Sequence, residues 1–340
     1  MIFVKIYLIC STIIVRAKTE IENMQIKLLR KLSSIFFILS IIIFSNQTAK
    51  AQHYFYDQDY YDSDLLFEAG ISLNAMNSLT DLAGKKGIGK RFLKDLNLGE
   101  TNASFGVFGS AIYKNAVAIR IEGTYGKVSS RDELLVGVTD IAKQRYNRNL
   151  DFRSTIYEAC AIAEIHPLYM FINWAKRDAS PPRFSPYIAG GIGIFSFNPQ
   201  GTIPGTRTWV NLQPLSTEGQ GFPSYPNRPK YKLKELNFPV GGGIKFEASR
   251  LLNFRLEVLH RFTRTDYLDD LSTTYINPAD YARYLPASKA ALALRMADKQ
   301  INPVAIPSTG RKRGTATEND GYLTIALKMS LIIGRGKAVF

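Results

Sequence analysis

The segment Gly84–Arg91 is the part of this 340-residue chain that comes nearest to a nucleotide-binding motif. It reads Gly-Lys-Lys-Gly-Ile-Gly-Lys-Arg, which follows the phosphate-binding loop pattern as far as its last position. That position requires a Ser or Thr hydroxyl to hold magnesium, and Arg91 cannot replace it. The segment also falls in a predicted external loop, where no ATP is available. A flexible basic loop that ends in a short helix, Phe92–Leu96, is therefore the favoured interpretation.

Three histidines are the candidates for general acid–base chemistry: His53, His166 and His260. His53 lies in an N-terminal tail, His166 at the end of a predicted strand, and His260 on the lipid-facing side of another. Eight-stranded outer-membrane barrel enzymes that modify lipid A use a His with a Ser or Asp at the external rim of the barrel. No histidine of this chain is predicted at such a position. The three are also not clustered as metal ligands are. We predict no catalytic residue, no metal site and no cofactor.

An acidic turn is a further candidate site. Asp266, Asp269 and Asp270 place three carboxylates within five residues, which could bind calcium. Their spacing is not that of a known calcium-binding loop. A solvated acidic turn is therefore the favoured interpretation.

The N-terminus has the order of a secretory signal peptide. Basic residues precede the apolar run Leu32–Phe44, and an Ala-x-Ala cleavage site follows at Ala49–Ala51. The apolar run is too short to span a membrane. Met24 stands directly before this unit, so translation is expected to start there. A genuine longer leader is the alternative.

Export changes the charge balance and the meaning of the cysteines. Residues 1–51 hold seven basic and two acidic residues, which leaves 36 of 43 basic and 27 of 29 acidic residues, a net charge of +9. Cys160 is then alone and forms no internal disulfide. No block of like charge or basic–aromatic repeat suggests nucleic acid. The expected partners of the basic surface are outer-membrane lipid and lipopolysaccharide, with acidic protein as a further alternative.

Eight segments alternate apolar and polar residues with the period of two that is typical of strands. Each is about ten residues long, which is close to the ~9–11 that a tilted strand needs to cross a bilayer. The segments are Leu65–Leu73, Ala103–Tyr113, Ala116–Gly126, Thr155–His166, Tyr187–Phe197, Leu236–Ala248, Asn253–Phe262 and Tyr322–Ile333.

The connections between these segments alternate between long and short. An even number of strands, short periplasmic turns and long external loops characterise outer-membrane barrels. We therefore predict an all-β, eight-stranded antiparallel transmembrane barrel in the cell outer membrane. The predicted domains are 1–51 for the upstream extension plus signal peptide, 52–64 for a periplasmic tail and 65–340 for the barrel.

The polar faces of the strands carry six acids and five bases. An eight-stranded barrel is just wide enough to be filled by its own side chains, and charges inside it must be paired. Near balance therefore predicts a closed lumen with no channel, in which Lys328 is expected to meet Glu68. The predicted lumen charges are Glu68, Arg120, Glu122, Glu158, Glu164, Lys245, Glu247, Arg255, Glu257, Arg261 and Lys328.

One connection on the periplasmic side, residues 167–185, is longer than a turn requires and is rich in apolar side chains. Such density often marks a partner site, although an interfacial aromatic belt would have the same composition. The candidate docking residues are Leu168, Tyr169, Met170, Phe171, Ile172 and Trp174.

Three loop segments carry a resemblance to a known family. They are Leu79–Gly89 (LTDLAGKKGIG), Asn211–Gly221 (NLQPLSTEGQG) and Thr265–Tyr275 (TDYLDDLSTTY). In this order they resemble the PorG family, the small outer-membrane barrel of the type IX secretion system in Bacteroidetes. The resemblance extends from about Leu65 to Ile333.

The resemblance implies a non-enzymatic assembly component. PorG proteins are thought to tie the periplasmic ring built from PorK and PorN to the outer membrane, in a system that exports protein and in some bacteria supports gliding. The family supplies no catalytic residues. Two alternatives remain open at this point, a lipid-modifying outer-membrane enzyme and a surface adhesin.

Overall fold

The computed structural model describes residues 64–82, 98–135, 141–172, 174, 183–301 and 309–333. Several predicted features lie outside these residues. They are the segment 1–51, the tail 52–64 apart from Asp64, the loop Gly84–Arg91 and the helix Phe92–Leu96.

The described residues form ten strands. They are β1 Leu65–Leu79, β2 Asn102–Tyr113, β3 Val117–Arg131, β4 Asp151–Ile165, β5 Phe184–Ser196, β6 Pro199–Thr202, β7 Trp209–Asn211, β8 Lys234–Glu247, β9 Leu252–Thr263 and β10 Gly321–Ile333.

Eight of these strands close into an antiparallel barrel. Their order around it is β3, β2, β1, β10, β9, β8, β5, β4, and β4 pairs back with β3. The first and last strands pair from Phe67 opposite Ile333 to Leu79 opposite Gly321. The short strands β6 and β7 form a hairpin beside β4. The predicted eight-stranded barrel is confirmed.

The two ends of the barrel differ in their connections. Residues 80–101, 132–150, 197–233 and 264–320 connect strands at one end, and 114–116, 166–183 and 248–251 connect them at the other. Outer-membrane barrels direct their long loops outward, so we call these the outer end and the inner end. Lys114 and Asn115 adopt left-handed backbone angles, with φ of 51° and 56°, in the tightest inner turn.

The outward-facing side chains form an apolar band around the barrel. Ile71, Ile119 and Leu327 are each more than half exposed. Aromatic side chains mark both edges of the band, as they do at the two interfaces of a membrane barrel. Tyr113, Phe184 and Phe246 lie at the inner edge, and Phe105, Tyr125, Tyr157, Phe238 and Phe262 lie at the outer edge.

Three strands extend beyond the apolar band at the outer end. β1, β3 and β4 have 15 residues each, more than the ~9–11 that cross a bilayer. The predicted end of β3 at Gly126 and start of β4 at Thr155 are therefore wrong by several residues. Pairing continues to Arg131 and Asp151. The apolar–polar alternation ends before the strands do, because outward-facing residues such as Lys127 are polar beyond the apolar band.

Four α-helices occur in the described residues, namely α1 Ile141–Arg148, α2 Pro167–Phe171, α3 Pro278–Tyr284 and α4 Ala287–Ala297. The segment 286–300 is rich in Ala, Leu, Arg and Lys, a composition that predicts a short amphipathic helix. This helix is confirmed as α4, which buries Ala293 and Met296 and exposes Leu294. Within the described segments, none of the helices combines the length and the apolar character needed to cross a membrane.

The described residues of the four long connections pack into a cap at the outer end. Its apolar core joins the third connection to the fourth and contains Leu212, Leu215, Phe222, Ile276, Tyr281, Ala290, Ala293, Met296 and Ala297. A second apolar cluster fills the top of the barrel below it, and includes Phe152, Phe195, Phe197, Tyr231, Leu268 and Tyr322.

Candidate functional site

The structure places all eleven predicted lumen charges inside the barrel. Each side chain is at least nine-tenths buried. The alternation along each strand achieves this, because the apolar neighbours on either side of a charge point to the lipid. The eleven are Glu68, Arg120, Glu122, Glu158, Glu164, Lys245, Glu247, Arg255, Glu257, Arg261 and Lys328.

Arg120 lies at the centre of this network. Its guanidinium contacts Glu122 at 3.1 Å, Glu164 at 2.5 Å and Glu257 at 2.7 Å. Lys328 contacts Glu257 at 2.9 Å and Glu122 at 2.5 Å, so two bases share two acids. The neighbouring strands β3 and β4 are thereby cross-linked across the lumen to the neighbouring strands β9 and β10.

Three further groups of charges extend the network toward the barrel ends. Arg255 contacts Glu164 at 2.8 Å and also Glu68, whose second oxygen accepts a hydrogen bond from Asn253 at 2.6 Å. Nearer the outer end, Arg261 contacts Glu158 at 2.8 Å. A Lys245–Glu247 pair at 3.6 Å lies near the inner end.

The predicted Lys328–Glu68 contact is wrong. The strand register puts Lys328 opposite Ser72, and Glu68 opposite Ile332. Four residues along a strand amount to roughly 13 Å. Alternation alone assigned both side chains correctly to the interior, but only the register decides which of them meet.

Phe108 is a lumen residue that the sequence reasoning missed. Its ring lies 5.2 Å from the Lys328 ammonium and 5.8 Å from each of the Arg120 and Arg255 guanidinium carbons. The face of an aromatic ring attracts cations, so Phe108 adds a contact to each of the three bases while filling the lumen. Phe108 lies on the same face of β2 as the polar residues of that strand. This alternation was the sequence signal that could have placed it in the lumen.

His166 lies inside the inner end of the barrel with Ser185 and Glu164 on either side. Its Nδ1 is 3.4 Å from the Ser185 hydroxyl and its Nε2 is 3.4 Å from Glu164. This order resembles a nucleophile–base–acid triad. Both distances are longer than ordinary hydrogen bonds, the three side chains are at most 1% exposed, and two arginines hold Glu164. The arrangement is an internal packing contact.

His260 faces outward on β9, as its parity predicted, and stacks on Phe262 with ring centroids 4.0 Å apart. It is 9% exposed. The imidazole therefore packs as one more ring at the outer aromatic edge.

The acidic turn is not solvated, so that interpretation is corrected. Asp266, Asp269 and Asp270 are 9%, 2% and 0% exposed. The cap encloses them because the first and third long connections pack on this turn. Leu82 N–H donates to Asp269 at 3.3 Å, and the hydroxyls of Thr217 and Tyr231 donate to Asp270.

Four carboxyls gather where the first and fourth connections meet. Asp266 and Asp269 are joined there by Asp81 and Asp320. Burial, followed by repulsion between these acids, raises the pKa of Asp266 to about 9, that of Asp269 to about 8 and that of Asp320 well above its usual range. In the portion of the chain that is described, no three metal-ligating side chains are grouped to hold an ion.

Asp266 is the carboxyl of this cluster with the fewest hydrogen-bond donors. Neither of its oxygens has a hydrogen-bond partner of normal geometry among the described residues. By contrast, Asp320 accepts from Leu268 N–H at 2.8 Å and Asp269 accepts from Leu271 N–H at 2.9 Å. Asp81 of the first connection and Glu218 of the third face the cluster with negative charge, while Arg148 of α1 offsets part of it at Asp269.

This cluster predicts that the cap loses stability as pH rises. Unfolded carboxyls release their protons near pH 4, whereas the folded cluster keeps protons up to about pH 9. Between these values the folded state binds more protons, so its stability falls with increasing pH. Asp266→Asn should raise the unfolding free energy of the cap at pH 8 by about 1–3 kcal/mol and flatten this dependence.

Hydrogen exchange of 265–275 between pH 5 and pH 9 measures the effect. Glu133→Gln removes an exposed carboxyl of the second connection and serves as the control. Equal exchange in Asp266→Asn and the parent protein at pH 8 contradicts the assignment.

The described residues of the three segments that carry the family resemblance meet in the cap. Glu218 of the second segment accepts from the backbone N–H groups of Ser272 and Thr273 of the third at 3.1 and 2.8 Å. The hydrogen bond from Leu82 N–H to Asp269 joins the first segment to the third. Arg313 completes the junction, with Glu218 at 3.0 Å. Leu82, Glu218 and Asp269, one from each segment, therefore take part in a single junction.

The candidate docking turn lies at the inner end. Pro167 begins α2, where its missing N–H costs nothing, and Trp174 Nε1 donates to the Leu168 carbonyl at 2.9 Å. Met170 is 52% and Phe171 81% exposed. The other four candidates, Leu168, Tyr169, Ile172 and Trp174, are partly buried.

No protein-family model matches the chain, and no curated protein matches it. The attachment invasion locus protein Ail of Yersinia pestis aligns with 79% of this chain and 97% of its own at 8% identity, with a TM-score of 0.31. A major outer membrane protein of Thermus thermophilus aligns over 78% and 99% at 8% identity, with a TM-score of 0.34. The N-terminal barrel domain of Pseudomonas aeruginosa OprF aligns over 78% and 97% at 7% identity, with a TM-score of 0.27.

At these identities the likeness concerns the fold alone. Closure of the barrel, an apolar band between aromatic edges and a charged interior decide the environment, since a closed barrel leaves no unpaired strand edge in lipid. The chain is an outer-membrane β-barrel protein. Its lumen is occupied by paired charges and aromatic rings.

Proposed function

We propose that this protein is a non-enzymatic barrel that docks the periplasmic ring of a type IX secretion system to the outer membrane. The ring proteins expected by resemblance are PorK and PorN. The role would be in protein export, and in gliding in those bacteria that glide with this system.

The observation that carries this proposal is the exposed apolar surface of α2. Phe171 and Met170 project from the inner end at 81% and 52% exposure. The other two inner connections, 114–116 and 248–251, are short turns. Exposed aromatic and Met side chains are enriched where proteins bind partners, and the inner end faces the periplasm.

The filled lumen supports an anchoring role over a conduit. Arg120, Arg255 and Lys328 cross-link the interior at the level of the membrane. A partner can therefore act only on the ends of the barrel or on its lipid-facing wall. The described residues of the three segments that carry the family resemblance converge in the cap, where they contribute to one structural unit.

The double substitution Met170→Ser and Phe171→Ser should reduce recovery of PorK and PorN by about tenfold or more, because apolar anchors of this kind dominate interface energy. The measurement is co-purification of the ring with the tagged protein from native membranes. The amount of protein in the outer membrane should not change, since neither side chain packs in the barrel.

Leu294→Ser is the matched control, because it removes a comparably exposed apolar side chain from the outer end. Recovery of the ring should be unaffected by it. If the double variant retains the ring at the parent level, α2 is not the docking site.

A further inference from the structure

Outward-facing bases follow the outer aromatic edge of the barrel. On β3, Lys127 comes two residues after Tyr125, and just past the end of β9, Arg264 comes two residues after Phe262. A strand rises about 3.3 Å per residue, so these bases lie roughly 7 Å beyond the aromatic side chains. That distance places them in the headgroup layer of the outer leaflet.

On two neighbouring strands, an outward-facing base likewise lies beyond an aromatic residue of the outer edge, here at a distance of four residues. On β4, Arg153 precedes Tyr157, and on β8, Lys234 precedes Phe238. In both strands the direction of the chain makes the earlier residue the outer one. Together with Arg131 at the end of β3, these residues form what we call the basic collar. It consists of Lys127, Arg131, Arg153, Lys234 and Arg264.

The collar is an arc and not a full ring. The barrel order β3, β4, β5, β8, β9 makes its strands contiguous, with Ser196 as the outward residue of β5 between them. On the opposite side, β1 and β10 present Ala75 and Ile325, which stand opposite each other in the sheet. The positive charge is thus directed to one side of the barrel.

Few acids oppose the collar. Glu100 is held by Arg131 at 3.1 Å, and Asp151 is held by Lys299. Within the segments that the structure describes, Lys127, Lys234 and Arg264 are exposed and make no ion pair. Arg153 is fixed in place, since it donates to Gln200 at 2.9 Å and stacks 4.3 Å from the Trp209 ring.

We infer that the collar binds the phosphorylated headgroup of an outer-leaflet glycolipid against strands β3 to β9. The apolar band directly below would contact the acyl chains of the same lipid, which a free anion does not possess. Guanidinium groups match phosphate geometry in a bidentate manner, and lysine ammonium groups add point charge. Basic residues at a membrane surface attract anionic headgroups strongly.

Native mass spectrometry of the purified full chain in neutral detergent tests the inference. The probes are lipid A with two phosphates, the same lipid A after dephosphorylation, and inorganic phosphate. The parent protein should bind diphosphorylated lipid A at least about tenfold more tightly than the dephosphorylated form. Inorganic phosphate at the same concentration should not compete.

The variant Lys127→Gln, Lys234→Gln, Arg264→Gln should lose this preference. Its matched control is Arg207→Gln, Lys230→Gln, Lys289→Gln, which removes three exposed bases from the cap outside the collar. All six side chains are exposed, so both variants should fold. The single substitution Lys127→Gln should give a smaller loss in the same direction.

Two outcomes overturn the inference. One is equal affinity of the parent protein for both forms of lipid A. The other is an equal loss in the control variant, which would mean that net charge and not the collar determines binding.

Discussion

Arg120→Met is expected to destabilise the barrel by about 3–5 kcal/mol, because it leaves buried carboxylates without their partner. Glu164, Glu257 and Glu122 all contact this guanidinium, and the four side chains are at most 2% exposed. The six acids of the lumen would then face four bases. Urea unfolding of the protein in lipid vesicles measures the loss.

A second substitution separates lost charge pairing from lost packing. Combining Arg120→Met with Glu164→Gln leaves five acids and four bases in the lumen, which is a smaller charge imbalance. The combined variant should therefore recover part of the stability, which a double-mutant cycle quantifies. Lys127→Gln, an exposed base on the same strand, should change the unfolding free energy by less than about 0.5 kcal/mol. A barrel that unfolds at the same urea concentration with and without Arg120 would show that the network contributes little.

The substitution Arg313→Met should unfold the cap while the barrel remains intact. Arg313 is 3% exposed and contacts Glu218 at 3.0 Å, the Asp270 carbonyl at 2.5 Å and the Ala297 carbonyl at 3.3 Å. Glu218 and Asp270 would remain buried without this base. Leaving such charges unpaired costs about 3–5 kcal/mol, which is enough for local unfolding in a region of modest size.

Hydrogen exchange distinguishes the two regions in a single experiment. Exchange should accelerate in 211–231 and 265–301, where Arg313 holds the third and fourth connections together, and stay slow in β1 and β10. Arg207→Met removes an exposed base from the third connection and should leave exchange unchanged. Uniform acceleration in the barrel strands would show instead that cap and barrel unfold as one unit.

The barrel was predictable because its strands obey a local rule. Period-two alternation placed Arg120 and Lys328 inside and Ile71 and Leu327 outside, as the structure does. Alternation carries no information about which strand residue stands opposite another. That is why Lys328 was assigned to Glu68, whereas the register puts it opposite Ser72.

The cap was not predictable by the same means. Asp266–Asp270 reads as a solvated turn, since acidic residues are rarely buried. Burial there depends on Leu82, Thr217 and Tyr231 from two other connections. Contacts across such sequence separations leave no periodic signal. Only α4, whose apolar face repeats every three to four residues, was visible in the sequence.

The cap also affects the order in which this protein matures. Asp81, just beyond the first strand, accepts from Thr315 N–H shortly before the last, and Leu82 N–H donates to Asp269 across the same gap. These bonds bridge the joint between β1 and β10, which can form only after the whole chain has entered the membrane. Assembly of such long-range contacts is slow. Resistance of the outer loops to protease is therefore expected to report completed insertion. A barrel stalled before its last strand should leave these loops accessible to cleavage.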